Sequence, residues 1–315
     1  MSTNDKTISV IVPCYNEEEV IGICHDRIRD VFDTLVYKLE IVFINDGSSD
    51  KTASLIMEIC DKHKDVIFID LSRNFGKEAA MSAGIEAATG DAVIILDADL
   101  QDPPELIPEF IKKWEEGYDN IYGKRLEREG ETWIKKKTAS MFYSAIKSMS
   151  HVDIPQNAGD FRLLSRQAVD ALIDLPERHR FMKGLFAWVG FNTIQIEYNR
   201  QSRVAGETKW NYWQLWNFAL EGITSFTTLP LRIASYLGAF ISFVTFIYGV
   251  FIIVETILYG ANVDGYASQM VVILFLGGLQ LASLGIIGEY IGRIYGETKN
   301  RPLYLVKQVI NLPKK

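Results

Sequence analysis

The chain has 315 residues, 48% of them hydrophobic, which suffices for one large domain with an appendage and argues against disorder. A net charge of −7 at pH 7 argues against a general nucleic-acid binder, so we expect no nucleic-acid partner. Three cysteines without metal-ligand spacing indicate a reducing compartment and no structural disulfides. Residues 1–6 are polar, so we expect no signal peptide.

Four apolar runs rich in β-branched residues, at 8–13, 39–44, 66–70 and 92–96, predict four strands. The segments between them predict helices, and this alternation favours an α/β fold with a doubly wound parallel sheet. No Gly-x-Gly-x-x-Gly follows the first strand and no Gly-Lys-Ser/Thr loop occurs, which disfavours a dinucleotide oxidoreductase and a P-loop enzyme. Any phosphate therefore has to be held by metal and side chains.

An acidic cluster formed by Asp97, Asp99 and Asp102 directly follows the fourth predicted strand. The carboxyl ends of strands in an open α/β sheet face the ligand crevice, where carboxylates can hold a divalent cation against phosphate oxygens. Pro103 and Pro104 then end the strand and begin a helix. The alternative is a solvated acidic turn that caps this helix.

Two further loops follow predicted strands. Tyr15 and Glu17 come after the first strand and offer an aromatic face and a carboxylate to a nucleobase or ribose, although Asn16 there could simply cap the next helix. Arg73 and Lys77 come after the third strand and could meet a diphosphate, with a solvated basic loop as the alternative.

The pattern weakens after position 122 and resumes near Asp160 and Arg162, which stand at the head of a short apolar strand. Helices are predicted at 166–174 and 181–189, and a further strand at 191–198.

Residues 200–210 place three cations around a glycine, which suits a flexible loop that closes over phosphate: Arg200, Arg203 and Lys209. A solvated linker is the alternative. The aromatic-rich segment that follows predicts an amphipathic element in a membrane interface, with a core helix as the competing interpretation.

Two uncharged stretches predict membrane-spanning helices. Residues 233–254 contain no charge over 22 positions, enough for roughly 33 Å of helix, and residues 268–288 form a second stretch. The connection between them contains Asp264 but no Lys or Arg. The positive-inside rule therefore predicts that both ends of this hairpin, and the domain before it, lie in the cytoplasm.

Four ordered motifs and the two spans resemble a family 2 glycosyltransferase. The motifs are Pro13-x-Tyr15-Asn16-Glu17, Asn45-Asp46-Gly47-Ser48-x-Asp50, Asp97-x-Asp99-x-Gln101-Asp102-Pro103-Pro104 and Arg203-x-x-Gly206-x-Thr208-Lys209-Trp210. The resemblance covers essentially the whole chain and is nearest to the bactoprenol glucosyltransferases and dolichol-phosphate mannosyltransferases. Thr208 stands where the family often has Ser, which preserves the hydroxyl.

The resemblance implies a GT-A, Rossmann-like nucleotide-sugar domain followed by interfacial helices and two transmembrane helices. It implies a Mg²⁺ or Mn²⁺ ion and inverting transfer of a hexose to the phosphate of a membrane polyprenol, with glucose from UDP-glucose as the expected donor and undecaprenyl phosphate as the expected acceptor. It also implies a multi-pass protein of the bacterial inner membrane. The expected assembly is a homo-oligomer, for instance a tetramer.

Site residues follow from the same resemblance, position by position. Those that match the donor-nucleotide site are Pro13, Tyr15, Glu17, Asp46, Lys77 and Asp97. Those that match the metal site are Asp97 and Asp99, and those that match the catalytic acids are Asp99 and Asp160. Those that match the cationic loop for the acceptor phosphate are Arg200, Arg203 and Lys209.

These expectations divide the chain into a glycosyltransferase domain at 1–210, an interfacial segment at 211–231, a two-helix hairpin at 232–293 and a basic tail at 294–315. A processive polysaccharide synthase is one alternative, but it usually has a Gln-x-x-Arg-Trp motif and more spans, which this sequence lacks. A non-catalytic membrane subunit of a sugar-lipid translocation system is another, although it would not need the acidic cluster.

Overall fold

A computed structural model describes residues 5–126, 158–178, 180–199, 229–259 and 265–313. The chain divides into two compact units, one formed by Met1–Ala219 with Arg301–Lys315 and the other by Leu220–Asn300. All three cysteines are buried and free, which confirms that they form no disulfide.

The first unit contains eight described strands and six described helices. The strands are β1 (Thr7–Cys14), β2 (Lys38–Asn45), β3 (Val66–Leu71), β4 (Ala92–Ile95), β5 (Asn120–Arg125), β6 (Ala158–Ser165), β7 (Thr193–Tyr198) and β8 (Val306–Ile310). The helices are α1 (Ile21–Phe32), α2 (Thr52–Lys62), α3 (Lys77–Ala87), α4 (Ile107–Glu115), α5 (Arg166–Ile173) and α6 (Met182–Trp188). A 3-10 turn, Pro104–Leu106, precedes α4.

These strands form one sheet in the order β7-β5-β6-β4-β1-β2-β3-β8. The four strands predicted from the apolar runs are confirmed, and β1 to β3 pair in parallel, with β4 parallel to β1. Two strands depart from the predicted all-parallel sheet: β6 runs antiparallel to β4, and β8, where no strand was predicted, runs antiparallel to β3. The sheet is therefore mixed, because an apolar run reveals a strand but not the direction in which the chain returns to the sheet.

The first four strands are buried along nearly their whole length, as in Ile8, Val10 and Ile11 of β1, which are all 0% exposed. Parallel strands covered by helices on both faces are typically continuous apolar runs, since neither face meets water. This burial explains why these four strands could be predicted from the sequence.

Strand β5 lacks that pattern and was not predicted. Its sequence is NIYGKR, and it lies between β6 and β7 rather than at an edge. Lys124 forms an ion pair with Glu197 of β7, with a separation of 3.0 Å, and Gly123 packs against the ring of Tyr198. The polar residues and the glycine of β5 argue against a strand in the sequence alone. In the fold, residues of β7 provide the contacts that stabilise them there.

The segment predicted as a basic tail is partly built into the fold. β8 adds to the edge of the sheet beside β3, and so belongs to the same unit as β1 to β7. The five residues of β8, VKQVI, are too few and too polar to predict a strand on their own.

The second unit contains two long apolar helices, α7 (Leu229–Tyr259) and α8 (Tyr266–Thr298). They include the two predicted uncharged stretches. By length and composition each is long and apolar enough to cross a membrane, over Leu231–Tyr259 and Val271–Thr298. Most of the predicted interfacial segment, at 211–228, lies outside the described residues.

A substitution at Phe110 in α4 tests the packing of the core of the first unit. Its side chain is fully buried, and its ring centroid lies 4.6 Å from that of Phe161. We expect Phe110→Ala to lower the free energy of unfolding by about 3–5 kcal/mol, because it leaves a cavity between α4 and the sheet. Denaturant unfolding in detergent measures this.

The matched control is Trp188→Ala, since Trp188 is 54% exposed and should affect the same measurement little. Equal losses for the two variants would contradict the packing described for α4.

Candidate active site

The candidate site lies at the carboxyl edge of the parallel strands. In the sheet order, β1 stands between β2 and β4: the chain moves outward from β1 to β2 and β3, and α3 then returns it to β4 on the other side of β1. Such a reversal of strand order opens a crevice outside the carboxyl ends of the strands, which is where open α/β sheets bind ligands. The loops that follow β1 and β4 flank this crevice.

The centre of the site is an ammonium group held between two carboxylates. Lys77 Nζ lies 2.7 Å from Oδ1 and 2.8 Å from Oδ2 of Asp97, and 2.5 Å from Oδ2 of Asp160. Lys77 is the first residue of α3, Asp97 follows β4 and Asp160 lies in β6. The structure thus brings together three residues that were predicted separately, two for the donor and one for catalysis.

The antiparallel pairing of β4 and β6 explains how the two carboxylates meet. Ile95 pairs with Arg162 at the end of the ladder. Continuing this register for two residues puts Asp97 opposite Asp160, because the two chains run in opposite directions. A parallel β6 would have carried Asp160 to the other end of the sheet.

The charges around Asp160 keep it ionised. Burial alone would raise the pKa of this carboxyl, but the positive charges of Lys77, Lys183 and Arg162 outweigh burial and hold its pKa well below the usual range. Burial likewise disfavours the charge on Lys77, but Asp160 and Asp97 outweigh it and raise the pKa of the ammonium. Both groups therefore stay charged at neutral pH.

Asp97 responds differently. Burial raises its pKa, the charge of Asp160 adds to that rise, and Lys77 only partly opposes it. A cation in contact with Asp97 therefore stabilises its ionised form, whether that cation is an ammonium group or a metal ion.

Asp46 organises the connection that leads into α3. One of its carboxylate oxygens accepts a hydrogen bond from the Phe75 backbone N–H at 2.7 Å, and the other accepts one from the Gly76 N–H at 2.9 Å. The next residue, Gly47, has φ +67°, and a Cβ there would lie 2.4 Å from the Arg73 carbonyl carbon. Asp46, predicted for the nucleoside pocket, thus fixes the backbone just before Lys77.

The loop after β1 is tied to the loop after β2 through Asn16. The Asn16 backbone N–H donates to Ser48 Oγ at 2.9 Å, and its side-chain oxygen accepts from the Ser49 N–H at 2.8 Å. Asn16 has φ +54°, a conformation that Asn tolerates better than most residues. The alternative that Asn16 caps α1 is wrong, because α1 begins at Ile21 after Val20.

The three predicted nucleoside residues of this loop lie together at the end of β1. Pro13 is half-buried in β1, Tyr15 is 39% exposed, and the Glu17 backbone N–H donates to Thr52 Oγ1 at 2.8 Å. Tyr15 is therefore accessible, while the backbone two residues later is anchored to the start of α2. This arrangement suits a face for a planar base.

Asp99 stands beside a strained turn. Leu100 is fully buried with φ +54°, a conformation that costs a non-glycine residue about 1–3 kcal/mol. The Gln101 backbone N–H donates to Asp99 Oδ1 at 3.2 Å. The buried side chain of Leu100 and this hydrogen bond hold the turn that contains Asp99, two residues after Asp97.

A divalent cation fits this pair on the chemistry of its donors. Within the described residues no cluster of three or more His, Cys, Asp or Glu could hold a metal. Mg²⁺ is usually bound by one or two carboxylates together with substrate phosphates rather than by an all-protein cage. Asp97 and Asp99 match the protein part of such a site.

Behind the loop that follows β4 lies a buried cluster that sequence reasoning missed. Arg125 Nη2 lies 3.2 Å from both carboxylate oxygens of Asp102, and the Tyr198 hydroxyl donates to the same carboxylate. Gly159 leaves room for the guanidinium, since a Cβ there would lie 3.2 Å from Arg125 Nη2. This cluster joins the loop after β4 to the ends of β5 and β7 and to the residue before Asp160.

Arg162 holds the backbone next to Asp160. Its Nη2 donates to the Gly159 carbonyl at 3.0 Å, and its guanidinium lies 3.7 Å from the ring centroid of Phe186. Burial lowers the pKa of this guanidinium to about 10, so it remains positive at neutral pH. The sequence indicated Arg162 by its closeness to Asp160, whereas Arg125 and Tyr198 are distant from Asp102 along the chain and only the fold reveals them.

The three residues predicted to bind the acceptor phosphate, Arg200, Arg203 and Lys209, lie outside the described residues. Their assignment stays a prediction.

Family comparisons agree with this geometry. The model of Glycosyl transferase family 2 matches residues 9–173, and that of the GtrB C-terminal hairpin matches residues 229–294. The chain belongs to glycosyl transferase family 2, and its mixed α/β sheet is of the GT-A type. The family resemblance and the fold class predicted from the sequence are thus confirmed.

Relatives match along nearly the whole chain. The bactoprenol glucosyl transferase of Shigella phage SfX is 51% identical, covering 95% of this chain and 98% of the relative. A prophage bactoprenol glucosyl transferase homolog of Escherichia coli K12 is 50% identical, covering 96% and 99%. A solved glucosyl-3-phosphoglycerate synthase from Mycobacterium tuberculosis, in complex with Mn²⁺ and UDP-glucose, is 20% identical with TM-score 0.48, covering 74% of this chain and 79% of that one.

The buried Asp102 cluster yields a prediction. Asp102→Asn keeps the size of the side chain but removes the carboxylate that pairs with the mostly buried Arg125 guanidinium in the described part of the chain. We expect the free energy of unfolding to fall by about 3–5 kcal/mol, since removing one member of a buried ion pair leaves the other uncompensated. Denaturant unfolding measures the difference.

Glu116→Gln is the control, because Glu116 pairs with Lys113 at the surface and a surface pair contributes little. A loss for Asp102→Asn no larger than for this control would show that Asp102 does not hold Arg125 in place.

Proposed function

We propose that this protein transfers glucose from UDP-glucose to the phosphate of a membrane polyprenol such as undecaprenyl phosphate, with inversion at the sugar carbon and release of the nucleoside diphosphate. The observation that carries the proposal is the convergence of Asp97 and Asp160 on the Lys77 ammonium at the crevice. Identities of about 50% to bactoprenol glucosyl transferases over almost the full chain support the choice of substrates.

The donor nucleotide is assigned to the loops after β1, β2 and β3. Pro13, Tyr15 and Glu17 would contact the nucleoside, because they lie at the carboxyl end of β1, at the point where the strand order reverses. Lys77 would face the diphosphate, since its ammonium already lies among carboxylates at the crevice and remains charged. Asp46 would act through the backbone of the connection that it fixes.

Asp97 and Asp99 would hold Mg²⁺ or Mn²⁺ together with the diphosphate oxygens. A bound divalent ion supplies positive charge that stabilises the departing diphosphate. Lys77 contributes positive charge of the same kind from the chain itself, held in place before the reaction and therefore without reorganisation during it.

The acceptor needs little help to become a nucleophile. A phosphate monoester has a second pKa near 6 and is largely dianionic at neutral pH. One of its oxygens forms the bond to the anomeric carbon as the bond from that carbon to the diphosphate oxygen breaks, and no proton has to move. Asp160, whose pKa is well below the usual range, is a weak base, and we assign it to orienting the reacting groups through Lys77.

The cations Arg200, Arg203 and Lys209 are assigned to the acceptor phosphate. Helices α7 and α8 would anchor the protein as a multi-pass protein of the bacterial inner membrane, with the first unit in the cytoplasm. We also propose that the protein is a homo-oligomer. The domain boundaries stay at residues 210, 231 and 293, except that residues 306–310 belong to the sheet of the first unit.

Incubation of the purified protein with undecaprenyl phosphate and a panel of nucleotide sugars, followed by mass spectrometry of the lipid, tests the proposal directly. We expect one hexose per lipid, formed from UDP-glucose. A lipid with many sugars would indicate a processive synthase, and no product with any donor would contradict enzymatic transfer.

Metal dependence is the next prediction. Asp99→Asn should abolish turnover, because Asn keeps the size of the side chain but loses the charge that binds a cation, and excess chelator should do the same to the unaltered protein. Asp97→Asn should also abolish it, although this variant additionally removes a partner of Lys77. Initial rates of UDP release provide the measurement.

Asp61→Asn, at an exposed position of α2, is the control and should leave the rate unchanged. Full turnover in excess chelator would exclude a required metal ion.

The acceptor loop yields a separate prediction. Arg203→Ala or Lys209→Ala should reduce catalytic efficiency roughly ten- to a hundredfold, because each removes a charge-assisted contact to phosphate worth about 1.5–3 kcal/mol. The loss should be seen in the KM for the lipid, with UDP binding unchanged. Weakened UDP binding with a normal lipid KM would instead assign the loop to the donor.

A further inference from the structure

We infer that the C-terminal strand β8 is a positioning element of the donor site, and that Lys307 on this strand holds the nucleoside loop in its binding conformation. The inference rests on the proposed function, because it takes the loop after β1 to be where the nucleotide binds. The observations that support it are hydrogen bonds and an ion pair that connect β8 to the two loops beside the crevice.

β8 is fastened to the sheet along its length and at both ends. It pairs with β3 from Phe68↔Ile310 to Leu71↔Val306. Before the strand, the Tyr304 hydroxyl donates to Glu86 of α3 at 2.6 Å. After it, Asn311 Nδ2 donates to the carbonyls of Cys60 and Val66, both at 3.0 Å. These side-chain contacts on both flanks hold the strand in one register.

A continuous chain of contacts leads from β8 to the nucleoside loop. Lys307 Nζ lies 3.0 Å from Oδ2 of the buried Asp70, whose Oδ1 accepts from Asn45 Nδ2 at 2.7 Å. Asn45 Oδ1 accepts from the Ser48 N–H at 3.2 Å, and Ser48 Oγ accepts from the Asn16 N–H at 2.9 Å. Asn16 is the residue between the two proposed nucleoside contacts Tyr15 and Glu17.

A second contact reaches the connection before α3. The Ser72 N–H donates to the Leu305 carbonyl at 2.8 Å, so the residue before β8 holds the first residue of that connection. Asp46 holds its other end, through the Phe75 and Gly76 N–H groups. The C-terminal segment therefore contacts the supports of both donor loops, the one with Tyr15 and the one that leads to Lys77.

Charge explains why Lys307 matters within this chain of contacts. Asp70 is 4% exposed, and among the described residues Lys307 provides the cation in its ion pair. Without that cation, the buried Asp70 carboxylate keeps the Asn45 amide as its side-chain partner among the described residues, and it gains by moving toward water. Movement of Asp70 releases Asn45 and hence Ser48. The side chain of Lys307 is itself 67% exposed, so solvent screens the pair and the effect should be moderate.

The test compares Lys307→Ala, Lys307→Arg and, as a matched control on the same strand, Gln308→Ala. Gln308 is exposed and stands next to Lys307 in β8. Calorimetry gives the Kd for UDP of the full-length protein in detergent, and steady-state rates give the KM for lipid. We expect Lys307→Ala to raise the Kd for UDP about five- to tenfold, with the lipid KM within about twofold of its original value.

Lys307→Arg should restore the Kd, because it returns the positive charge, and Gln308→Ala should leave it unchanged. The inference is overturned if Lys307→Ala binds UDP normally, if Lys307→Arg is as weak as Lys307→Ala, or if the lipid KM rises together with the Kd. Failure of the unaltered protein to bind UDP or UDP-glucose would instead overturn the proposed function.

Discussion

The ion pairs that Lys77 makes with Asp97 and Asp160 are the constraint on which the rest of the site depends. Two carboxylates directed at one point repel each other, and at low exposure neither has enough water to offset the repulsion. The ammonium relieves this repulsion and is held at 2.7 Å and 2.5 Å from the two groups. The crevice thereby holds a charged centre of the kind that the proposed metal-bound nucleoside diphosphate would meet.

The remaining acids near the crevice support this centre by holding backbone and other side chains. Asp46 binds two consecutive backbone N–H groups before Lys77, and Asp102 binds Arg125 behind the loop that presents Asp97. In each case a carboxylate is buried with its hydrogen-bonding partners, which fixes the loop more firmly than packing alone would. Positioning of this kind lets electrostatic stabilisation act without reorganisation during the reaction.

The C-terminal strand extends the same principle to a part of the chain that was predicted from its composition to be a basic tail. Its residues cover an otherwise open edge of the sheet at β3, and unpaired edges are prone to non-native pairing. The same residues hold the connections on which the donor loops rest. One short segment therefore covers the edge and supports the end of the sheet that we propose to bind the nucleotide.

The sequence alone determined the four parallel strands, because strands buried on both faces are continuous apolar runs, as in β1. It also predicted which loops form the candidate site, since residues such as Asp97 and Tyr15 follow strands whose carboxyl ends share one edge. It could not determine that Lys77 and Asp160, 83 positions apart, meet, because that depends on the antiparallel direction of β6. Only the tertiary structure decided this and the place of β8, since partners distant along the chain, and not local pattern, stabilise both.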